Sequence, residues 1–208
     1  MQVNLHTRRY ATDAVGRRRY ERVFSMYRMQ LQIDLGMIAV VGDRDAGKTR
    51  FMHVACKKDM RKNIFRSTAV EEFHTLDTLF QVVPGSAGNG LVSAVCDGAD
   101  AIIVVYDAEK GARSAHNWLL RIRRLMRGVG GIHVLVCGYG VRHALGSEVP
   151  DDVVYMLHQH PNAEHAFVDE TWPEGIVDCA NRIVTRVRRS PPSPLSACKI
   201  SRALAPSQ

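Results

Sequence analysis

Gly42 to Thr49 reads Gly-Asp-Arg-Asp-Ala-Gly-Lys-Thr, which is the spacing G-x-x-x-x-G-K-T. A short apolar run, Met37-Ile38-Ala39-Val40-Val41, leads into it, and a helix-compatible run, Lys48 to Cys56, leads out. A buried strand that turns at glycine into a helix is the setting in which this pattern cradles phosphate. Each residue type has a chemical reason. Gly42 and Gly47 allow backbone geometry that aims several N–H groups at one anion. The helix that follows adds the positive end of its dipole. Lys48 brings a cation to the outer phosphates, and the Thr49 hydroxyl is the expected magnesium ligand. Asp43, Arg44, Asp45 and Ala46 complete the loop. A glycine turn matching by coincidence would leave the preceding strand unexplained, so the expected ligand is a nucleotide.

The segments after this loop alternate in type. Lys57 to Thr75 is polar and reads as irregular, and Thr78 to Val83 reads as a strand. Pro84 to Gly90 must be a loop, and Val92 to Cys96 allows one or two turns of helix. Ala99 to Asp107 is β-branched and too apolar for a strand with one wet face, so it belongs at the centre of a parallel sheet. Ser114 to Val129 is helical, with Trp118, Leu119, Ile122, Leu125 and Met126 on one face and Arg121, Arg123, Arg124 and Arg127 mostly on the other. Gly131 to Cys137 reads as a strand, Asp151 to His158 as a helix, Ala166 to Val168 as a short strand and Glu174 to Arg188 as an amphipathic helix. Strands alternating with helices predict an α/β, doubly wound, mostly parallel sheet with helices on both faces and its ligand at the carboxyl ends of the strands.

The formal charge of +7 over 208 residues is unevenly distributed. Residues 1–34 hold seven Arg against three acids, and residues 190–208 hold Lys199 and Arg202 with no acid. The segment 35–189 is therefore near neutral, and no specific nucleic-acid partner is expected. Residues 1–34 form a basic extension in which Tyr20, Phe24, Tyr27 and Leu31 make an apolar helical stripe. A face packed on the domain, a partner-binding arm and a mitochondrial targeting peptide are the readings open for it. Residues 190–208 read as a flexible tail rich in Pro and Ser. No apolar run approaches the ~20 residues that cross a bilayer, and Cys198 is too far from the end for a prenylation signal. Five cysteines with no C-x-x-C suggest a reduced, cytoplasmic chain.

Residues 36–188 resemble the Ras-like small GTPases, nearest the Rab branch. The resemblance rests on VVGDRDAGKT and on ADAIIVVYDAEKGARSAHNWLLRIRR, with its Tyr-Asp and later Trp-Leu, in the family's order and spacing. It implies GTP or GDP as the bound nucleotide, with ATP as the alternative, and Mg2+ beside it. Three family motifs are altered. The family's Asp-x-x-Gly aligns with Gly85-Ser86-Ala87-Gly88, which keeps the γ-phosphate-sensing glycine as Gly88 and loses the acid. Asn89 stands at the water-orienting position, one methylene short of the family's glutamine. The guanine-reading Asn-Lys-x-Asp aligns with Gly138-Tyr139-Gly140-Val141, and Glu170-Thr171-Trp172-Pro173 replaces the family's Ser-Ala-Lys-like loop. Thr68 and Ser67 are weak candidates for the magnesium-binding threonine of the first switch.

The resemblance thus implies a phosphate grip retained while catalysis and base readout are eroded. Degenerate Rab-like members of this kind are stable parts of larger assemblies, including intraflagellar transport complexes, so protein partners and a possible association with the cilium are expected. A P-loop small kinase or NTPase and a nucleotide-free interaction module are the alternatives. His158, His160 and His165 cluster in sequence but read as a solvated face, because i and i+2 diverge on a helix. Tyr106 and Asp107 read as structural, Trp118 as core, and the Arg121 group as solvated.

Overall fold

The computed structural model describes residues 36–57, 69–75, 78–126, 132–140, 149–169 and 171–189. The stripe Tyr20, Phe24, Tyr27 and Leu31, the switch candidates Ser67 and Thr68, Arg127, Val141, Glu170 and the tail 190–208 lie outside the described residues. In chain order the elements are β1 (Gly36–Val41), α1 (Lys48–Ala55), β2 (Glu71–His74), β3 (Thr78–Val82), α2 (Asn89–Cys96) and β4 (Ala101–Asp107). A short 3-10 turn (Ala108–Lys110) follows, then α3 (Arg113–Leu125), β5 (His133–Tyr139), α4 (Asp151–Gln159), β6 (Ala163–Val168) and α5 (Pro173–Arg189).

The six strands form one sheet in the order β2-β3-β1-β4-β5-β6. All neighbours run parallel except β2, which pairs antiparallel with β3 at the edge. The two middle strands explain themselves by composition. Ile38, Val40, Ile103 and Val105 point to one face and Ala39, Val41, Ile102 and Val104 to the other, all buried. A strand apolar on both sides needs a layer on both sides. One layer comes from Phe51 and Met52 of α1 and Ile176, Cys179, Ala180 and Ile183 of α5. The other comes from Leu91, Val92 and Val95 of α2, Trp118, Leu119 and Ile122 of α3, and Val153 and Met156 of α4. Fully burying each such side chain is worth about 1.5–3 kcal/mol. The result is an α/β fold with a mostly parallel sheet between helical layers, and it fits the doubly wound class. No described helix is long and apolar enough to cross a membrane.

Several expectations need correction. The segment read as irregular before Thr75 contains β2, in which Glu71 and Phe73 are buried and Glu72 and His74 less so. A glutamate on the covered face hid that alternation. The helix expected from Val92 begins at Asn89, so the preceding loop closes at Gly88. The strand expected over three residues runs from Ala163 to Val168, because parallel pairing with Val134 through Tyr139 draws in its polar start. Three carboxylates do structural work at element ends. Asp100 Oδ2 accepts from Met37 N at 2.8 Å, Asp107 Oδ1 from Glu109 N at 3.1 Å, and Asp152 Oδ2 from Ala112 N at 2.6 Å.

Candidate functional site

The chain leaves β1 at Val41 and must turn beside β4. Gly42 makes that turn at φ +147, and a Cβ there would collide with the carbonyl oxygen of Val105. Asp45 at φ 64 and Gly47 at φ 86 complete a left-handed path into α1. Gly47 also lies under the ring of Tyr139, whose Cδ1 is 2.5 Å from where a Cβ would sit. α1 starts with neither a side-chain cap nor an acidic residue in its first turn. Its amino-terminal N–H groups and dipole are therefore offered to the concave side of the loop. Asp43, Arg44 and Asp45 are exposed, and Ala46 is buried.

Lys48 is 8% exposed, and its Nζ donates to the carbonyls of Gly42 at 2.9 Å and Asp43 at 2.5 Å. Burial lowers its ammonium to about 8, against the opposite pull of Asp43, Asp45 and Glu71. Its described hydrogen-bond partners are thus neutral carbonyls, with the acidic side chains acting from further off. Thr49, next on α1, donates through Oγ1 to Glu71 Oε2 at 3.2 Å.

The loop is also braced from outside. Asp43 accepts from Trp118 Nε1 at 2.7 Å and from Ser114 Oγ at 2.5 Å, both on α3. One turn further along α3, the Arg121 guanidinium lies 4.7 Å from the Trp118 ring centre. It donates to Asn89 Oδ1 at 2.8 Å and to the Ala87 carbonyl at 2.7 Å. The sequence places Arg121 on a solvated face; its guanidinium instead lies over the Trp118 ring and closes on Ala87 and Asn89. Trp118 is core, as expected, and carries a polar contact as well.

Gly85 and Gly138, two of the positions where the chain departs from the resemblance, are sterically confined. Gly85 packs on the backbone of Asp43 and Arg44 so closely that a Cβ would collide with Arg44 N. Gly88 precedes α2 with open space around its Cβ position. At Gly138 a Cβ would sit 2.7 Å from Phe167 Cδ1 and 2.9 Å from Tyr106 Oη. Beside it, Tyr106 Oη and His165 Nε2 are 3.0 Å apart, and the His165 and Phe167 rings meet edge to face at 4.5 Å. His165 was expected on a solvated face. Burial instead pulls its imidazole down to about 4, so it is neutral at pH 7. Half-buried His160 faces His116 with ring centres 5.3 Å apart, and His158 is exposed.

The structure therefore brings Gly42, Gly47, Lys48 and Thr49 together at the carboxyl edge of the sheet. The loop after β3 meets the same glycine loop through Gly85, which packs on Asp43 and Arg44. Glu71, Ser114 and Arg121 were not anticipated there. Among the described residues, no group of three or more His, Cys, Asp or Glu side chains could by itself hold a metal. No protein-family model matches the chain, and no curated protein matches it either.

Proposed function

We propose that the chain is a nucleotide-binding regulatory or scaffolding subunit of the Ras/Rab-like type, with weak or no hydrolysis of its own. The observation that carries this reading is Lys48, buried at the head of α1 and turned into a loop framed by Gly42 and Gly47. The residues fit a phosphate chain: the uncapped start of α1, one buried ammonium and a hydroxyl follow one another at the end of the glycine loop. Thr49 would hold Mg2+, which when bound neutralises phosphate charge.

Weak hydrolysis follows from what surrounds Asn89. Its side-chain oxygen is taken by Arg121, and its amide is a methylene shorter than the glutamine that orients water in the family. Loose base selectivity follows from Gly138, where no side chain offers a hydrogen bond to a guanine edge. Such a protein acts by being bound in one nucleotide state, and protein partners in a larger complex are the proposed readers.

The test is to release nucleotide from the purified chain, identify it by chromatography, and measure affinity for GTP, GDP and ATP with and without Mg2+. The expected result is a guanine or mixed nucleotide content that disappears in Lys48→Ala. Turnover should stay far below that of an activated GTPase. No measurable affinity for any of the three would overturn the reading.

A further inference from the structure

Oxygen ligands, one or two of them carboxylates, are what a small divalent cation beside phosphates requires from a protein. In this chain the position aligned with the family's acid is Gly85, and the Asp43–Arg44 backbone leaves no room for a side chain there. Another carboxylate reaches the same place from a different strand. β2 runs opposite to its neighbour, so its first residue, Glu71, pairs with Val82 at the end of β3. That puts Glu71 at the edge where the phosphate loop lies, and on the face covered by α1, since Phe73 packs with Phe51 in the core on that side. Glu71 is 7% exposed, and its Oε2 is 3.2 Å from Thr49 Oγ1.

A buried glutamate is expensive unless its charge is answered. The described partners of Glu71 are one hydroxyl at 3.2 Å and the nearby Lys48 ammonium. Two oxygens bound side by side at 2.0–2.1 Å to an octahedral Mg2+ stand about 2.9 Å apart. The Thr49–Glu71 pair, at 3.2 Å, is already close to that spacing. Of the other acids nearby, Asp43 is held by Ser114 and Trp118, and Asp107 pairs with Lys110 at 2.7 Å.

We propose that Glu71 is the protein's carboxylate in a divalent-cation site shared with Thr49 and the phosphates of the bound nucleotide, in place of the acid missing at Gly85. This rests on the nucleotide-binding reading, and the experiment separates the two. Dissociation of fluorescent GDP and ADP analogues is followed from the full chain as Mg2+ is titrated and then removed with EDTA. Melting temperatures are recorded alongside, for wild type, Glu71→Gln and Glu71→Asp. The wild type should release nucleotide at least tenfold faster in EDTA. Glu71→Gln in Mg2+ should release as fast as wild type in EDTA, with little further response to chelation. Glu71→Asp, which keeps the charge on a shorter arm, should need severalfold more Mg2+ for half-maximal retention. If Glu71→Gln fails to fold, Glu71→Asp decides alone.

A wild-type Mg2+ dependence in the folded variants would overturn the proposal while leaving nucleotide binding intact. Tighter binding by Glu71→Gln without Mg2+ would also overturn it, because Glu71 would then be a charge that repels phosphate. A wild type that holds no nucleotide would remove both readings.

Discussion

Lys48 has lost most of its water and, among the described residues, has carbonyl oxygens as its direct hydrogen-bond partners, which sets how it should respond to pH. Its ammonium is held down to about 8, whereas an unfolded lysine titrates at its ordinary value of 10.5. Between those values the folded, ligand-free chain has released a proton that the unfolded chain still holds. Stability from this group therefore rises with pH across that window and is lowest below about 8. A bound phosphate reverses the balance, because it favours the ammonium. Affinity for nucleotide should be flat below pH 8 with respect to Lys48. Above it, affinity should fall by up to tenfold per pH unit, with one proton taken up on binding. Titration calorimetry at pH 7 to 9.5, in buffers of differing ionisation enthalpy, measures both effects. Lys48→Arg, permanently charged, should flatten the profile even where binding is weaker. A wild-type affinity constant over that range would show that Lys48 does not meet the phosphate. The loop itself was readable from sequence, because its glycines and lysine are local in the chain and each has one steric or electrostatic job.

At the scale of elements, two features are less legible in the sequence than the rest, for different physical reasons. β2 was hidden because a buried glutamate stands where an apolar residue would have marked the covered face. α3 was read as apolar on one side and solvated on the other, and that holds for Trp118 and Leu119 but not for Arg121. A side chain's reach over its own helix turn is invisible to a periodicity count. The consequence is a strut: α3 holds the glycine loop 42–47 through Asp43, the loop before α2 through Ala87 and the start of α2 through Asn89. Trp118→Phe removes the indole N–H together with the five-membered ring, leaving Asp43 Oδ1 one donor short and a gap in the core. That should cost about 2–4 kcal/mol, read as a lower denaturation midpoint at unchanged slope. Amide exchange should also quicken across residues 42–47 more than in the strands of the sheet. Uniform acceleration over the whole sheet would make Trp118 an ordinary core residue instead.

At the scale of the whole molecule, the altered motifs do not behave as isolated losses. Gly85 is pressed against the phosphate loop, Gly138 against Phe167 and Tyr106, and Asn89 is held by Arg121. Gly85 and Gly138 are confined by neighbours from other elements, so an Asp or an Asn there must move backbone or an aromatic ring. Those two substitutions should therefore harm the fold before they help the chemistry. Gly138→Asn must displace the Phe167 ring, and Gly85→Asp must push on the backbone at Arg44. Overpacking of this kind costs typically 1–3 kcal/mol. For a domain of this size that corresponds to a fall of roughly 2–4 °C in Tm per kcal/mol. Asn89→Gln, on an accessible helix start, should leave Tm within about 1 °C, and GTP turnover should stay low because Arg121 still holds the amide. Thermal melts of the three variants, with turnover measured on each, test the pattern. If Gly138→Asn melted at the wild-type temperature and gained preference for GTP over ATP, the base-reading end would be merely depleted and still open to repair. A lower melting temperature with no gain in selectivity would mean that the packing around Phe167 has replaced base recognition, leaving the phosphate loop as the principal grip on the nucleotide.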